Sequence, residues 1–118
     1  MGTFNVDIEI GSPDGVAFET FNALVDTGAS ITTVPASALR RLGVTPHRQL
    51  TFALADGREV QRDVGQTWIR VGDDSAITFV VFGDEEVEPL LGAYSLQGLM
   101  LGVDSPNEQL VAVPRLLM

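Results

Sequence analysis

Few side chains in this 118-residue sequence are equipped for chemistry, and that scarcity narrows the choice. There is no cysteine, which excludes thiol nucleophiles, thiolate-bound metals and disulfide scaffolds. A single histidine, His47, argues against a Ser-His-Asp relay. The segment that stands out is Asp26-Thr27-Gly28-Ala29-Ser30, which follows the apolar run Ala23-Leu24-Val25 without a break. An apolar strand placed there carries an acid toward the interior, where desolvation and a second carboxylate govern whether it holds a proton. Gly28 permits a sharp backbone turn and lets its own N–H approach the carboxylate, because no side chain intervenes. Thr27 offers a hydroxyl that can hydrogen-bond across a symmetric interface while its methyl group packs.

The elements that must position this acid are mostly strands. Residues 3–10 alternate, with Phe4, Val6, Ile8 and Ile10 on one face, and residues 16–25 read as the return strand of a hairpin across the turn 11–15. Residues 31–34 resume the β pattern after the polar break. Pro35 suits the first turn of a short helix over 36–42, with Gly43 as its C-terminal cap. Residues 51–55 and 58–64 flank Asp56-Gly57, a hairpin signal, and residues 67–71 and 76–82 flank a second turn. An acidic stretch (Asp84, Glu85, Glu86, Glu88) reads as a solvated loop. Leu90-Leu91-Gly92 follows, then a brief helix over 93–97 ended by Gly98 and a closing hairpin of 99–103 with 109–113. His47 falls in the loop after the first helix, Arg40 and Arg41 face water on that helix, and Trp68 and Tyr94 are expected in core or interface packing. The pattern is all-β with one or two short helices, and residues 1–118 form one domain. A faint internal echo links Leu24-Val25, a loop, a helix and Leu42-Gly43-Val44 to Leu90-Leu91-Gly92, a helix and Leu101-Gly102-Val103, as in a pseudo-symmetric half-barrel.

With Ala23-Leu24-Val25-Asp26-Thr27-Gly28-Ala29-Ser30, the Pro-led helix, the Leu54-Ala55-Asp56-Gly57 hairpin and the later Leu90-Leu91-Gly92 in this order, the chain resembles the retroviral-type (retropepsin-like) aspartic proteases, in particular compact prokaryotic members. Asp-Thr-Gly alone is a short motif; its flanks and the distant Leu-Leu-Gly give it weight. The resemblance implies a closed β-barrel with one half-site per chain, hence a homodimer in which Asp26 meets its own copy across a two-fold axis. Such a pair would share one proton, activate a water and hydrolyse a peptide bond of a peptide or protein substrate. It also implies that Ala55, Asp56, Gly57 and Arg58 form a flap, where an ordinary surface hairpin is the equal alternative, and that Leu90, Leu91 and Gly92 pack beneath the catalytic loop. Ala29 lacks the hydroxyl that pepsin-like enzymes often place beside the acid, so activity is expected at mildly acidic to near-neutral pH. Ala93-Tyr94 stand where relatives often carry an Arg or Asp that braces the subunits.

Composition closes off other classes. Net charge is −9 and all seven basic residues are arginine, with no basic cluster of the kind nucleic acid requires. No apolar run approaches the roughly 18 residues of a membrane span. The N-terminus lacks a signal-peptide pattern, and Val6 stands where a myristoylation motif wants Ser or Thr. With no cysteine, a cytoplasmic setting is expected. Neither a cofactor nor a metal is called for. Besides an active endopeptidase, the same residues fit a catalytically silent dimeric module that binds peptides or supports assembly, or a small β-barrel in which Asp-Thr-Gly is only a turn.

Overall fold

The alternation starting at Phe4 becomes strand β1 (Asn5–Gly11), whose Ile8 and Ile10 are wholly buried in the computed structural model, which describes residues 3–114. Strand β2 (Phe18–Val25) returns antiparallel to it. The return begins two residues later than the sequence pattern predicts. Residues 12–17 are consumed in the turn, where Asp14 accepts from the Ser12 hydroxyl and the Val16 N–H, and Ala17 N–H donates to Ser12 Oγ. Val16 is thereby left exposed.

Strand β3 (Thr32–Pro35) feeds helix α1 (Ala36–Arg41). The helix ends as expected at Gly43, which takes φ +80°. Gly43 N–H reaches the Arg40 carbonyl and Val44 N–H the Leu39 carbonyl, so two terminal carbonyls are satisfied while Leu39 and Val44 enter the core. Strands β4 (Arg48–Ala53), β5 (Glu59–Val71) and β6 (Asp74–Gly83) follow as antiparallel neighbours. Then come the two-residue strand β7 (Leu90–Leu91), helix α2 (Ala93–Leu99) and a separate hairpin of β8 (Leu101–Asp104) with β9 (Gln109–Ala112).

The main sheet runs β1-β2-β7-β3-β6-β5-β4 and also joins β1 to β5, so six strands close into a ring with β4 outside it. Closure rests on Glu9↔Arg70 and Ile10↔Ile69. Arg70 grips Glu9 with two hydrogen bonds of 2.9 Å and lies 3.8 Å from the centre of the Phe18 ring. The buried Thr67 hydroxyl donates to the Gly11 carbonyl beside it. Inside the ring Ile8, Ile10, Val34, Ile69, Val80 and Leu91 pack together, sealed by Leu39 of α1 and by Leu96 and Leu99 of α2.

Several boundaries differ from the sequence expectation for identifiable reasons. Residues 58–64 and 67–71 are one strand, not two. Gly65 does not break it, because its missing side chain makes room: a Cβ there would stand 3.0 Å from both the Thr45 carbonyl and Val44. Val64 is where the strand changes partners, pairing with Arg48 on one side and Val81 on the other. The β4–β5 connection is wider than a two-residue Asp-Gly turn. Leu54 N–H bonds to the Arg58 carbonyl and Gly57 adopts φ +88°, giving a three-residue loop with a left-handed glycine. Helix α2 runs through Gly98 and stops only after Leu99 is buried, with Met100 at φ 59° as its cap. Residues 84–88 are not simply solvated: Glu85 accepts from the Ser37 N–H and hydroxyl, Asp84 pairs with Arg62 at 3.0 Å, and Glu88 accepts from Asn5.

Two consequences can be measured. Arg70's hydrogen bonds and charge hold the Glu9 carboxyl below the usual carboxylate range. A carboxylate with a depressed folded-state pKa adds stability above its unfolded value of about 4.3 and loses it as pH falls through the folded value. Glu9→Gln should therefore melt below wild type at neutral pH, with the gap shrinking in high salt and closing as pH falls from about 4.3 through the lower folded-state value. A gap that persisted in acid would mean that the charge is irrelevant. Gly92 sits where a Cβ would meet the Ile31 carbonyl carbon at 2.7 Å and the Thr32 nitrogen at 2.9 Å. Backbone cannot yield cheaply, so Gly92→Ala should cost about 1–3 kcal/mol or more in chemical denaturation. A neutral result would show the approach to be looser than described.

Candidate active site

Val25 is buried and β2 ends with it, so the next residue, Asp26, leaves the core at the rim of the ring. The chain then turns on its own carboxylate: Gly28 N–H donates to Asp26 Oδ1 at 2.9 Å, and Ala29 N–H donates to the Asp26 carbonyl at 3.1 Å. A Cβ on Gly28 would stand 3.1 Å from that same Oδ1, which is why glycine serves here. Thr27, Gly28 and Ser30 are exposed, while Asp26 and Ala29 are half-buried.

Strand β7 fixes this loop from below. It pairs parallel to β2 (Leu24↔Leu90, Val25↔Leu91) and antiparallel to β3 (Thr33↔Leu90). Asp26 N–H donates to the Leu91 carbonyl at 3.1 Å, and the Ala93 and Tyr94 N–H groups donate to the Ala29 and Ser30 carbonyls at 2.9 Å each. The structure thus brings together Asp26 to Ser30 and Leu90 to Gly92 as one unit.

Beneath it lies a set of residues that sequence reasoning did not single out. Gly92 N–H donates to Thr32 Oγ1 at 3.1 Å; Thr32 Oγ1 and Ser95 Oγ are 2.6 Å apart, and Ser95 Oγ and Thr78 Oγ1 are 2.8 Å apart. All three hydroxyl residues are buried, and they tie β3, β6 and α2 together under the loop. The only hint in the sequence is that they are small polar residues inside otherwise apolar elements.

The β4–β5 hairpin leans over the loop, and between them lies an open cleft of about 490 Å³. Its floor is formed by Gly28, Ala29, Ser30 and Ile31, and its roof includes Phe52, Leu54 and Val60. Ala55, Asp56, Gly57 and Arg58 make the exposed tip rather than the roof. There the Arg58 backbone N–H and guanidinium both bond to Asp56 and hold its carboxyl below the usual carboxylate range. Asp26 itself opens onto the other side of the loop, into a hollow of about 190 Å³ with Thr3, Phe4, Thr27, Val103 and Ser105. Among the described residues no other ionisable side chain lines that hollow. Among the described residues no cluster of His, Cys, Asp or Glu is arranged to hold a metal ion. Trp68 is half-buried and packs against Gly15, whereas Tyr94 is not core: it is 54% exposed and meets Phe79 edge-on at 5.2 Å.

Comparison with known proteins agrees with this geometry. The solution structure of the simian foamy virus (mac) protease is similar with a TM-score of 0.57 and 25% identity, over 82% of this chain and 96% of that one. The crystal structure of a retropepsin-like aspartic protease from Rickettsia conorii is similar with a TM-score of 0.51 over 87% of this chain and 85% of that one; at 21% identity the likeness speaks for the fold alone. No protein of curated function matches the sequence. The aspartyl protease family model matches residues 6–94, three-quarters of the length and the whole of the Asp26 unit, so this chain, with its retropepsin-like all-β fold, belongs to the aspartyl protease family.

Proposed function

We propose that the chain is an aspartic endopeptidase that works as a homodimer, with Asp26 of each copy forming the catalytic pair. The observation that carries this reading is a lone carboxylate: Asp26 is locked at the rim of the ring by Gly28 and Leu91, and among the described residues no second ionisable side chain lines its hollow. One carboxyl group cannot act as acid and base in the same step, and a two-fold axis beside the loop supplies another. Two carboxyls about 3 Å apart share one proton. The ionised member takes a proton from water as its oxygen attacks the scissile carbonyl carbon; the protonated member donates to the carbonyl oxygen. The tetrahedral intermediate collapses with cleavage of the C–N bond, and the departing nitrogen receives a proton.

Gly28, Ala29 and Ser30, with Ile31, form the floor on which the substrate lies, and Thr27 borders the hollow of Asp26 on the other side of the loop. The β4–β5 hairpin, with Ala55 to Arg58 at its tip, acts as a flap, and an extended peptide adds beneath it as a strand. A cleft open on one side, roofed by this hairpin, supports that role. Leu90, Leu91 and Gly92 position the acid.

Wild type and Asp26→Asn, incubated with an unfolded protein from about pH 4 to about pH 7.5, should differ by roughly 10²–10⁴-fold in cleavage rate, while both sediment as dimers. Wild-type activity should be greatest at mildly acidic to near-neutral pH, since Ala29 offers no hydroxyl to the pair. Equal cleavage by both proteins, or an optimum in strong acid, would contradict the scheme. A dimer that cuts nothing would instead be the peptide-binding module. Subunit sharing has its own signature: after exchange, an equal mixture of the two proteins should retain about a quarter of the activity of the same amount of wild type. A value near half would place each site within a single chain.

A further inference from the structure

Beside the main cleft, toward the base of the β4–β5 hairpin, lies a second hollow of about 250 Å³. Its walls are Ile31, Leu50, Val64, Phe79 and Tyr94, with Arg48 as the one charged group at its edge. Ile31 also lines the main cleft, so the two spaces adjoin at the end of the Asp26 loop.

Arg48 differs from every other described arginine. Arg41 pairs with Glu19, Arg58 with Asp56, Arg62 with Asp84 and Arg70 with Glu9, all within 3.0 Å. Arg40 lies 5.3 Å from the centre of the Phe82 ring. Among the described arginines Arg48 alone has neither an ionic nor an aromatic partner. That is unexpected in a chain of net charge −9, where carboxylates outnumber cations more than two to one. The nearest acid by strand register, Asp63, is opposite Gln49 and receives its amide; neighbouring positions on a strand point to opposite faces, which directs Asp63 away from Arg48.

An unpaired guanidinium at the mouth of an apolar hollow is complementary to a side chain with an apolar stem and an anionic end. We propose that Arg48 and this hollow form an outer subsite that selects a glutamate of the peptide substrate, an inference that rests on the peptidase reading above. Arg48 and Phe52 share a face of β4 and are four residues, about 13 Å, apart. An extended peptide under the hairpin therefore places the selected glutamate several positions away from the residue beneath Phe52. Arg48 is a specificity residue here and takes no part in bond cleavage.

Binding tests this without requiring hydrolysis. Labelled extended peptides that differ only in carrying Glu, Gln or Lys at one position, moved in turn along the sequence, would be titrated against Asp26→Asn protein in low salt. At one position the Glu peptide should bind roughly fivefold tighter than the Gln peptide, and Lys weakest. Adding Arg48→Glu should abolish the preference for Glu and invert it toward Lys. No preference at any position, or one that survives Arg48→Glu, overturns the subsite. Cleavage of the same peptides by wild type separates the two claims: a Glu preference in binding with no cleavage defeats the peptidase and keeps the subsite, and cleavage without the preference does the reverse.

Discussion

Residues 26–30 carry a carboxylate and a run of backbone amides and carbonyls across the rim of a closed apolar ring, where every polar group needs a partner. The short strand β7 meets that constraint. It enters between β2 and β3, the two strands that the loop joins, and its flanks bond to the loop at Asp26, Ala29 and Ser30. Such an insertion is possible only if the chain leaving β7 can touch the backbone at Ile31 and Thr32, and glycine at position 92 is the residue that allows it. The buried hydroxyls of Thr32, Ser95 and Thr78 then bind that crossing to β6 and α2. The acid is thus oriented by residues more than sixty positions downstream, and its geometry is set before any substrate arrives.

The crossing has a second half. Strand β2 passes through a loop into β3 and α1, and β6 passes through a loop into β7 and α2. The strands are exchanged: β3 pairs parallel with β6, β7 pairs parallel with β2, and β3 and β7 meet antiparallel at the centre. This is an internal two-fold, in which the counterpart of the Asp26 loop is the acidic segment 84–89. The two loops have diverged in use. Asp84 and Glu85 are committed to Arg62 and to Ser37 at the start of α1, and Glu88 to Asn5. They hold the frame, and Asp26 keeps its carboxylate open. Internal symmetry shapes the scaffold without giving the chain a second carboxylate placed like that of Asp26.

What the sequence discloses, and what it hides, follows from the range of the interactions involved. The α1 terminus at Gly43, the first hairpin and the Asp-Thr-Gly turn depend on neighbours within a few positions, and their residue types signal them. The faint echo set Leu24-Val25 against Leu90-Leu91, but the internal two-fold matches β2 with β6 and β3 with β7, and the two echoing segments are instead parallel neighbours. Errors arose where distant contacts override a local signal. Gly65 reads as a break but is a point of close approach to Val44 and Thr45, so β5 continues through it. Gly98 reads as a helix end, but the burial of Leu99 draws α2 past it. Thr32, Thr78 and Ser95 are ordinary letters in three separate elements, and only the folded ring makes them one network. The acidic run had the composition of a solvated loop, yet Asp84, Glu85 and Glu88 found partners on elements far away in the chain.

If the proposed pairing holds, the single chain is a stable fold that is chemically incomplete. The ring closes within one copy through Glu9–Arg70 and Ile10–Ile69, and the loop is locked within one copy through β7. Nothing in that frame waits for a partner. On the proposed reading the second carboxylate is then the missing component, and a preformed half-site needs no refolding to receive it. Activity would follow the concentration of paired chains by mass action, falling away on dilution while each subunit stays folded. On that reading folding and catalysis are separated: the first depends on contacts inside the ring, the second on whether two rims meet.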